Sequence, residues 1–291
     1  MALAALSGDE QCVIFSQLCN VLDPGIAVDF GSVSSELREL TQALLQQLRT
    51  DHEVAAVLCR KMGMRSCNEL RETNLLDCVR KGLSAANLAT LGKLGSVLPA
   101  LEELRLIEPT AGPDGVQRLA ERLGARALPA LTWLNLGGTH VGNAGASALA
   151  AALGRGAMPH LIELPLHDAA ICDAGLVALA PALRRLPLLE ILDLGGNPLG
   201  DKGLAALVAP PPPAGAPPPK TRGLKKLRHL DLHCTKVSDA GCATLASALD
   251  SGALPALERL SLEDIPASAA AKSTVRRAGF RAGLGQWWLM M

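Results

Sequence analysis

The chain has 291 residues, of which 49% are hydrophobic and only 2% aromatic, with no tyrosine. It is long enough to bury a large core, and that core must be built from leucine, alanine and valine. The 28 Lys and Arg residues equal the 28 Asp and Glu residues in number. A net charge of zero gives no indication of a nucleic-acid partner, and we predict none.

Signals for export and for membrane insertion are missing from the sequence. Asp9 and Glu10 stand where a signal peptide would carry basic residues, and the first basic residue is Arg38. No apolar run has the length of a membrane span. The eight cysteines include no C-x-x-C pair, so we expect them to be reduced and mostly buried. We therefore expect a cytoplasmic or nuclear protein with no cofactor and no membrane partner.

Residues 1–72 are predicted to be all-helical. Ser7 and Glu10 have the spacing of a capping box, Asp23-Pro24 ends the first helix, and a third helical stretch begins near Ser34. This segment resembles an F-box, which has apolar residues followed by Leu, Asp-Pro and a Val-Ser before a helix. It departs from that pattern at Ser7, which replaces a proline, in three extra residues before Leu22, and in having no tryptophan after Val-Ser.

The F-box resemblance implies that the first helices bind a Skp-type adaptor. The alternative is an ordinary helical cap that covers the first open end of the array that follows. The residues that the resemblance assigns to adaptor binding are Leu6, Ile14, Phe15, Leu18, Leu22 and Pro24.

A pattern L-x-x-L-x-L then recurs at intervals of 28 to 38 residues. Each copy alternates with period 2 and is followed by a turn and by an Ala/Leu-rich run with period 3 to 4, so each unit is predicted to be strand, turn and helix. In four units an Asn or Asp is predicted to be the N-cap of the helix: Asn143, Asp173, Asp201 and Asp239. The copies begin at Leu101, Leu131, Leu161, Leu189, Leu227 and Leu257.

These units resemble leucine-rich repeats of the ribonuclease-inhibitor type over residues 73–265. The resemblance implies an α/β solenoid with a parallel sheet on a concave inner side, helices outside, and a binding role rather than a reaction type. The family's asparagine after the strand is present only as Asn197, with Thr139 and Thr235 at the equivalent positions of other units. We therefore expect its hydrogen-bonded ladder to be incomplete.

Two segments depart from the repeats. Residues 209–223 are a proline-rich insertion, which we expect to be a solvated loop; docking of an SH3 or WW domain is the alternative. Residues 266–291 are predicted to be a C-terminal cap or tail, in which Trp287 and Trp288 cover the last repeat.

Strand geometry predicts where a partner would bind. The third, fifth and seventh residues of each unit point away from the buried leucines. Trp133 is the candidate hot spot among them; the alternative is a Trp133 folded over a neighbouring strand. Asp193, His229 and Asp231 are close enough for a metal, but no second shell is evident, so no metal site is predicted. The predicted partner-binding residues are Glu103, Arg105, Trp133, Asn135, Glu163, His167, Asp193, His229, Asp231, His233 and Arg259.

The sequence contains no motif of a catalytic site, such as G-x-S-x-G, a P-loop or H-E-x-x-H. We therefore predict a non-catalytic, monomeric scaffold that binds a protein partner on the concave face. With the F-box resemblance, this implies a substrate receptor of a cullin-type ubiquitin ligase. The alternative is a regulator of the GTPase-activating type, since some repeat proteins of this class stimulate small GTPases.

Overall fold

The computed structural model describes residues 11, 14–15, 18–33, 35–208, 224–284 and 289–290. Leu6, the proline-rich insertion at 209–223 and the tryptophans at 287 and 288 lie outside the described residues. The description that follows concerns the remainder.

The strands form one parallel sheet in chain order, so each strand pairs with the strands of the units before and after it. The register places equivalent positions opposite each other, as in Leu104 opposite Leu134 and Leu192 opposite Leu230. This order arises because each strand is followed by a helix that returns the chain to the start of the next strand. The described strands are β1 (Leu75–Asp77), β2 (Glu103–Arg105), β3 (Trp133–Asn135), β4 (Glu163–Pro165), β5 (Ile191–Asp193), β6 (His229–Asp231), β7 (Arg259–Ser261) and β8 (Leu289–Met290).

The N-terminal region is all-helical, as predicted. Its described helices are α1 (Gly25–Ser32), α2 (Ser35–Met62) and α3 (Cys67–Glu72). Phe15 forms a small core of its own with Ala27 of α1 and Leu48 of α2.

The helices of the repeats pack against one another in sequence on one side of the sheet. The leucines of the strands and of the helices form one continuous core, which extends from Leu22 to the last described helix. This confirms the predicted α/β leucine-rich-repeat fold. The repeat helices are α4 (Ala85–Leu94), α5 (Gly115–Arg122), α6 (Gly142–Gly154), α7 (Asp173–Leu183), α8 (Asp201–Leu207), α9 (Asp239–Asp250) and α10 (Ala269–Arg281).

The prediction that Asn143, Asp173, Asp201 and Asp239 are N-caps was wrong, because the N-cap residues are Val141, Cys172, Gly200 and Ser238. Asp173 is the first residue of its helix, and Cys172 precedes it as the N-cap. The Asp173 Oδ1 atom accepts hydrogen bonds from the backbone N–H groups of Gly200 (2.7 Å) and Gly203 (2.9 Å), at the start of the next helix. Because the helices are stacked side by side, the free N–H groups of the following helix lie within reach of this carboxylate.

The same bond recurs along the array. Equivalent bonds run from Cys172 and Gly175 to Asn143, from Ser238 to Asp201, and from Ser268 to Asp239. We call these four side chains and their acceptor bonds the helix-start bridges.

Asn197 is a buried side chain that bonds to the backbone of two neighbouring repeats. Its side chain is 1% exposed, and its Oδ1 accepts from the backbone N–H groups of Ala169 (3.1 Å) and Ile171 (2.9 Å) in the preceding repeat. Its Nδ2 donates to the backbone carbonyls of Leu166 and Leu194, at 2.7 and 2.9 Å. This side chain therefore joins two neighbouring turns that would otherwise leave polar groups unpaired in the core.

A buried carboxylate that the sequence did not predict lies beside the second strand. Glu108 is 1% exposed, and its carboxylate accepts from the Leu83 N–H at 3.0 Å and from the Thr110 hydroxyl at 2.5 Å. Burial by itself would raise the pKa of Glu108, but the hydrogen bonds from Thr110 and from the backbone outweigh burial and lower it. Glu108 therefore holds together the turns of the first two units as an ionised group.

Candidate functional site

The candidate site is the open face of the sheet, which we define by the third, fifth and seventh residues of each repeat unit. The middle leucine of most strands is buried and its two neighbours are half-exposed, as in β5 and β6. The structure places all eleven predicted partner-binding residues on this face, ten half-exposed and Arg259 exposed. Whether they bind a partner remains a prediction.

Trp133 lies beneath a cationic side chain from the adjacent strand. The guanidinium carbon of Arg105 is 4.6 Å from the centroid of the indole ring, a cation–π arrangement. The indole Nε1 of Trp133 and the Nε of Arg105 are both buried without a hydrogen-bond partner. The Arg105 side chain thus covers the indole, and two donors at this end of the face remain unsatisfied, which is unfavourable in the free protein.

Two histidines lie flat against glycines of the preceding repeat. A Cβ atom at Gly137 would be 2.1 Å from Cε1 of His167, and one at Gly195 would be 2.0 Å from Cε1 of His233. No side chain larger than that of glycine fits beneath either ring. The two glycines therefore fix the positions of both imidazoles on the open face.

Two aspartates beside these rings are held by their own turns. Oδ1 of Asp193 accepts from the Gly195 N–H, and Oδ1 of Asp231 accepts from the His233 N–H, both at 2.9 Å. Nδ1 of His233 is also 2.8 Å from Oδ1 of Asp231. The hydrogen bond with Asp231 raises the pKa of His233, and the negative charges nearby, including Asp193, raise it further.

The metal-ligand geometry differs from the set weighed from the sequence. Nε2 of His229 is directed to Glu258, with 4.0 Å between Nε2 and Oε2. His233 takes its place, since one ligand atom from each of Asp193, Asp231 and His233 lies within 4.8 Å of the other two. Strand spacing alone identifies the shared face but not how the side chains turn, which is why His233 was missed.

The open face carries more negative than positive charge. The Lys and Arg residues at its third, fifth and seventh positions are Arg105 and Arg259, near opposite ends of the sheet. A partner that covers this face should therefore present cationic groups to its centre. The acidic residues at the third, fifth and seventh positions are Asp77, Glu103, Glu163, Asp193, Asp231 and Glu263.

The residues assigned to adaptor binding do not share one environment. Phe15 and Leu22 are 0% and 2% exposed, so both are held inside the fold. Ile14, Leu18 and Pro24 are half-buried and remain accessible in part. The F-box-like pattern thus contains core residues as well as surface residues, and its adaptor-binding role remains a prediction.

The arrangement of strands, helices and buried leucines is that of leucine-rich repeats. Three segments match the sequence model of the leucine-rich repeat, at residues 128–150, 185–208 and 223–246. Leucine-rich repeats generally bind protein partners and are typically non-catalytic, so the matched repeats suggest a scaffold for protein–protein interaction. No curated protein sequence matches the chain.

Solved structures that the chain matches include three with low sequence identity and TM-scores below 0.5. Actin-binding site 2 of leiomodin-1 is 11% identical with a TM-score of 0.33, and the match covers 80% of this chain and 88% of that one. A protein from Bacteroides fragilis is 11% identical with a TM-score of 0.45, covering 89% and 84%. An internalin from Listeria monocytogenes is 12% identical with a TM-score of 0.26, covering 78% and 93%.

Among the helices that the structure describes, none combines the length and the apolar character needed to cross a bilayer.

Proposed function

We propose that the protein is a non-catalytic scaffold that binds a protein partner across the open face of the sheet. The observation that carries this proposal is the pair of unsatisfied donors at Trp133 and Arg105 beside a row of carboxylates. A partner that supplies an acceptor to the indole N–H and cationic side chains to Asp193 and Asp231 would satisfy both features.

Partner binding to the open face is expected to weaken when either Trp133 or Asp231 is replaced. Trp133→Ala removes the indole, and Asp231→Arg reverses the charge at the centre of the face. Loss of a hot-spot residue weakens binding by about 2 kcal/mol or more, roughly 30-fold. The measurement is quantitative affinity capture from cell extract with wild type and both variants, followed by titration of the purified partner.

Glu121→Arg is the matched control, because Glu121 is exposed on α5, away from the sheet, and undergoes a similar reversal of charge. Thermal melting of each variant shows whether the fold is kept. If folded Trp133→Ala and Asp231→Arg retain the same partners at the same affinity as wild type, the open face is not the recognition surface.

The N-terminal helices supply a second part of the proposal, which is binding of a Skp-type adaptor as a substrate receptor of a cullin-type ubiquitin ligase. It is supported by the F-box-like pattern and by the separate small core around Phe15. A compact helical unit at one end of the repeats leaves the open face accessible to a substrate. A GTPase-regulating role is the weaker alternative, because it needs a projecting loop residue and the sequence offers none that stands out.

Ile14→Asp in the full chain is expected to weaken binding of a purified Skp-type adaptor at least about tenfold, because it puts a charge into an apolar contact. Ile14 is chosen because it is only half-buried, whereas a charge at Phe15 would disrupt the core. Val57→Asp on α2, where Val57 is 51% exposed, is the control and should bind as wild type does. Failure of the folded wild-type chain to bind any adaptor would leave the N-terminal helices as a cap only.

A further inference from the structure

We propose that Asp193, Asp231 and His233 form a binding site for a divalent transition-metal cation of the zinc type, with His167 at its edge. This site requires no protein partner, and a bound zinc ion would compete with a partner's cationic side chains for Asp193 and Asp231. The three ligand groups come from two adjacent repeats, on β5 and on β6 with its following turn.

The first argument is convergence of suitable ligand atoms. One atom from each of the three side chains lies within 4.8 Å of the others. Ligands around a tetrahedral zinc ion at about 2.1 Å are separated by about 3.4 Å, so small side-chain rotations complete the geometry. Imidazole and carboxylate together are a ligand set that suits zinc, whereas calcium and magnesium take oxygen ligands.

The second argument is that the backbone orients both carboxylates. Asp193 and Asp231 each use Oδ1 to accept the N–H two residues further along the chain. These bonds restrict the rotation of both carboxylates, and Oδ2 of Asp193 lies 3.1 Å from Nδ1 of His167. Orientation of ligands by hydrogen bonds of this kind is a regular feature of metal sites.

The third argument is an unsatisfied nitrogen next to the site. Nδ1 of His167 is buried and makes no hydrogen bond, although it lies 3.1 Å from Oδ2 of Asp193. A buried nitrogen without a partner is unfavourable. A cation bound by Asp193 would lie close to Nδ1 of His167, and this nitrogen could then bind the cation as a further ligand or donate to the Asp193 carboxylate.

The fourth argument concerns rigidity and charge. Gly137 and Gly195 provide the flat positions on which the rings of His167 and His233 lie, so both imidazoles are already placed. Asp168 adds a further carboxylate, whose charge acts on His233 together with those of Asp193 and Asp231. A bound cation relieves the mutual repulsion of these carboxylates.

The test uses the full chain after treatment with a chelator, in a phosphine reductant that keeps the thiols reduced. Titration calorimetry with zinc chloride is expected to show one zinc ion per chain, and zinc is expected to raise the melting temperature, since a ligand of the folded state stabilises it. Asp193→Asn and His233→Ala should each weaken zinc binding at least about tenfold. Asp193→Asn keeps the shape of the side chain and serves on its own if His233→Ala does not fold.

Two control variants separate this site from other zinc ligands nearby. His229→Ala removes a histidine of the same strand that is directed to Glu258, and Cys234→Ser removes the exposed thiol next to His233. Both should bind zinc as wild type does. The proposal is overturned if wild type binds no zinc, if Asp193→Asn and His233→Ala bind it unchanged, or if Cys234→Ser alone abolishes binding.

Discussion

Replacement of Asn197 by alanine is expected to lower the free energy of unfolding by about 2 to 6 kcal/mol, because it leaves two buried backbone N–H groups unpaired at about 1 to 3 kcal/mol each. These groups belong to Ala169 and Ile171 of the preceding repeat. The carbonyls of Leu166 and Leu194 lose their donor as well. Urea unfolding followed by circular dichroism measures the effect.

Two further variants make this test specific. Asn197→Asp keeps an acceptor for the two N–H groups but places a buried negative charge against the carbonyls, so it should be at least as destabilising as alanine. Asn135→Ala removes one half-exposed bond, to the Gly137 N–H, and should lower stability by about 1 kcal/mol or less. A change below about 1 kcal/mol for Asn197→Ala would show that water replaces its bonds.

Leu134→Ala is expected to lower the free energy of unfolding by about 2 to 5 kcal/mol, because it opens a cavity between neighbouring layers of the array. Leu134 is 2% exposed and lies opposite Leu104 in the adjacent strand. The same substitution at Leu75, which is 41% exposed on the first strand, is the control and should have a much smaller effect. Denaturant unfolding of both variants gives the comparison.

Hydrogen exchange would show where the effect of Leu134→Ala lies. Because each repeat contacts only its neighbours, loss of protection should be greatest in β2, β3 and the helices beside them. Equal loss along the whole sheet would mean that the array unfolds as a single cooperative unit, and a stability loss equal to that of Leu75→Ala would contradict the cavity argument.

The repeated leucine spacing was sufficient to predict the sheet, because it specifies a buried position that every unit must share. Leu104, Leu134 and Leu192 all lie in register for this reason. The all-helical N-terminal region also followed from local signals. Sequence did not predict Glu108 as a buried carboxylate, since its partner Leu83, 25 residues earlier in the chain, becomes a neighbour only when repeats stack.

The sequence predicted which residues lie on the open face, but it did not predict how their side chains are arranged. Alternation along a strand decides which residues are on the open face, and that part is as predicted. It does not specify that Trp133 lies under Arg105 or that His233, rather than His229, turns toward Asp193. Those details depend on side-chain rotation and on neighbouring repeats.

The N-cap error arises because local spacing assigned each polar residue to its own helix, whereas the structure gives it a partner in the next helix, as for Asp173. Burial within the F-box-like pattern also depends on other segments, since Phe15 and Leu22 lie in cores. The adaptor-binding role of that pattern stays a prediction.

The helix-start bridges bear on how such a chain gains and loses repeats over evolution. Asp173, Asp201 and Asp239 bind backbone N–H groups of the next unit, which every amino acid except proline supplies. Asp201 and Asp239 also accept from the hydroxyls of Ser238 and Ser268, and each unit carries its own serine or its own equivalent. A duplicated unit inserted in register would therefore find its bonds at both junctions without any compensating substitution. Contacts between specific pairs of side chains would instead require both partners to change together.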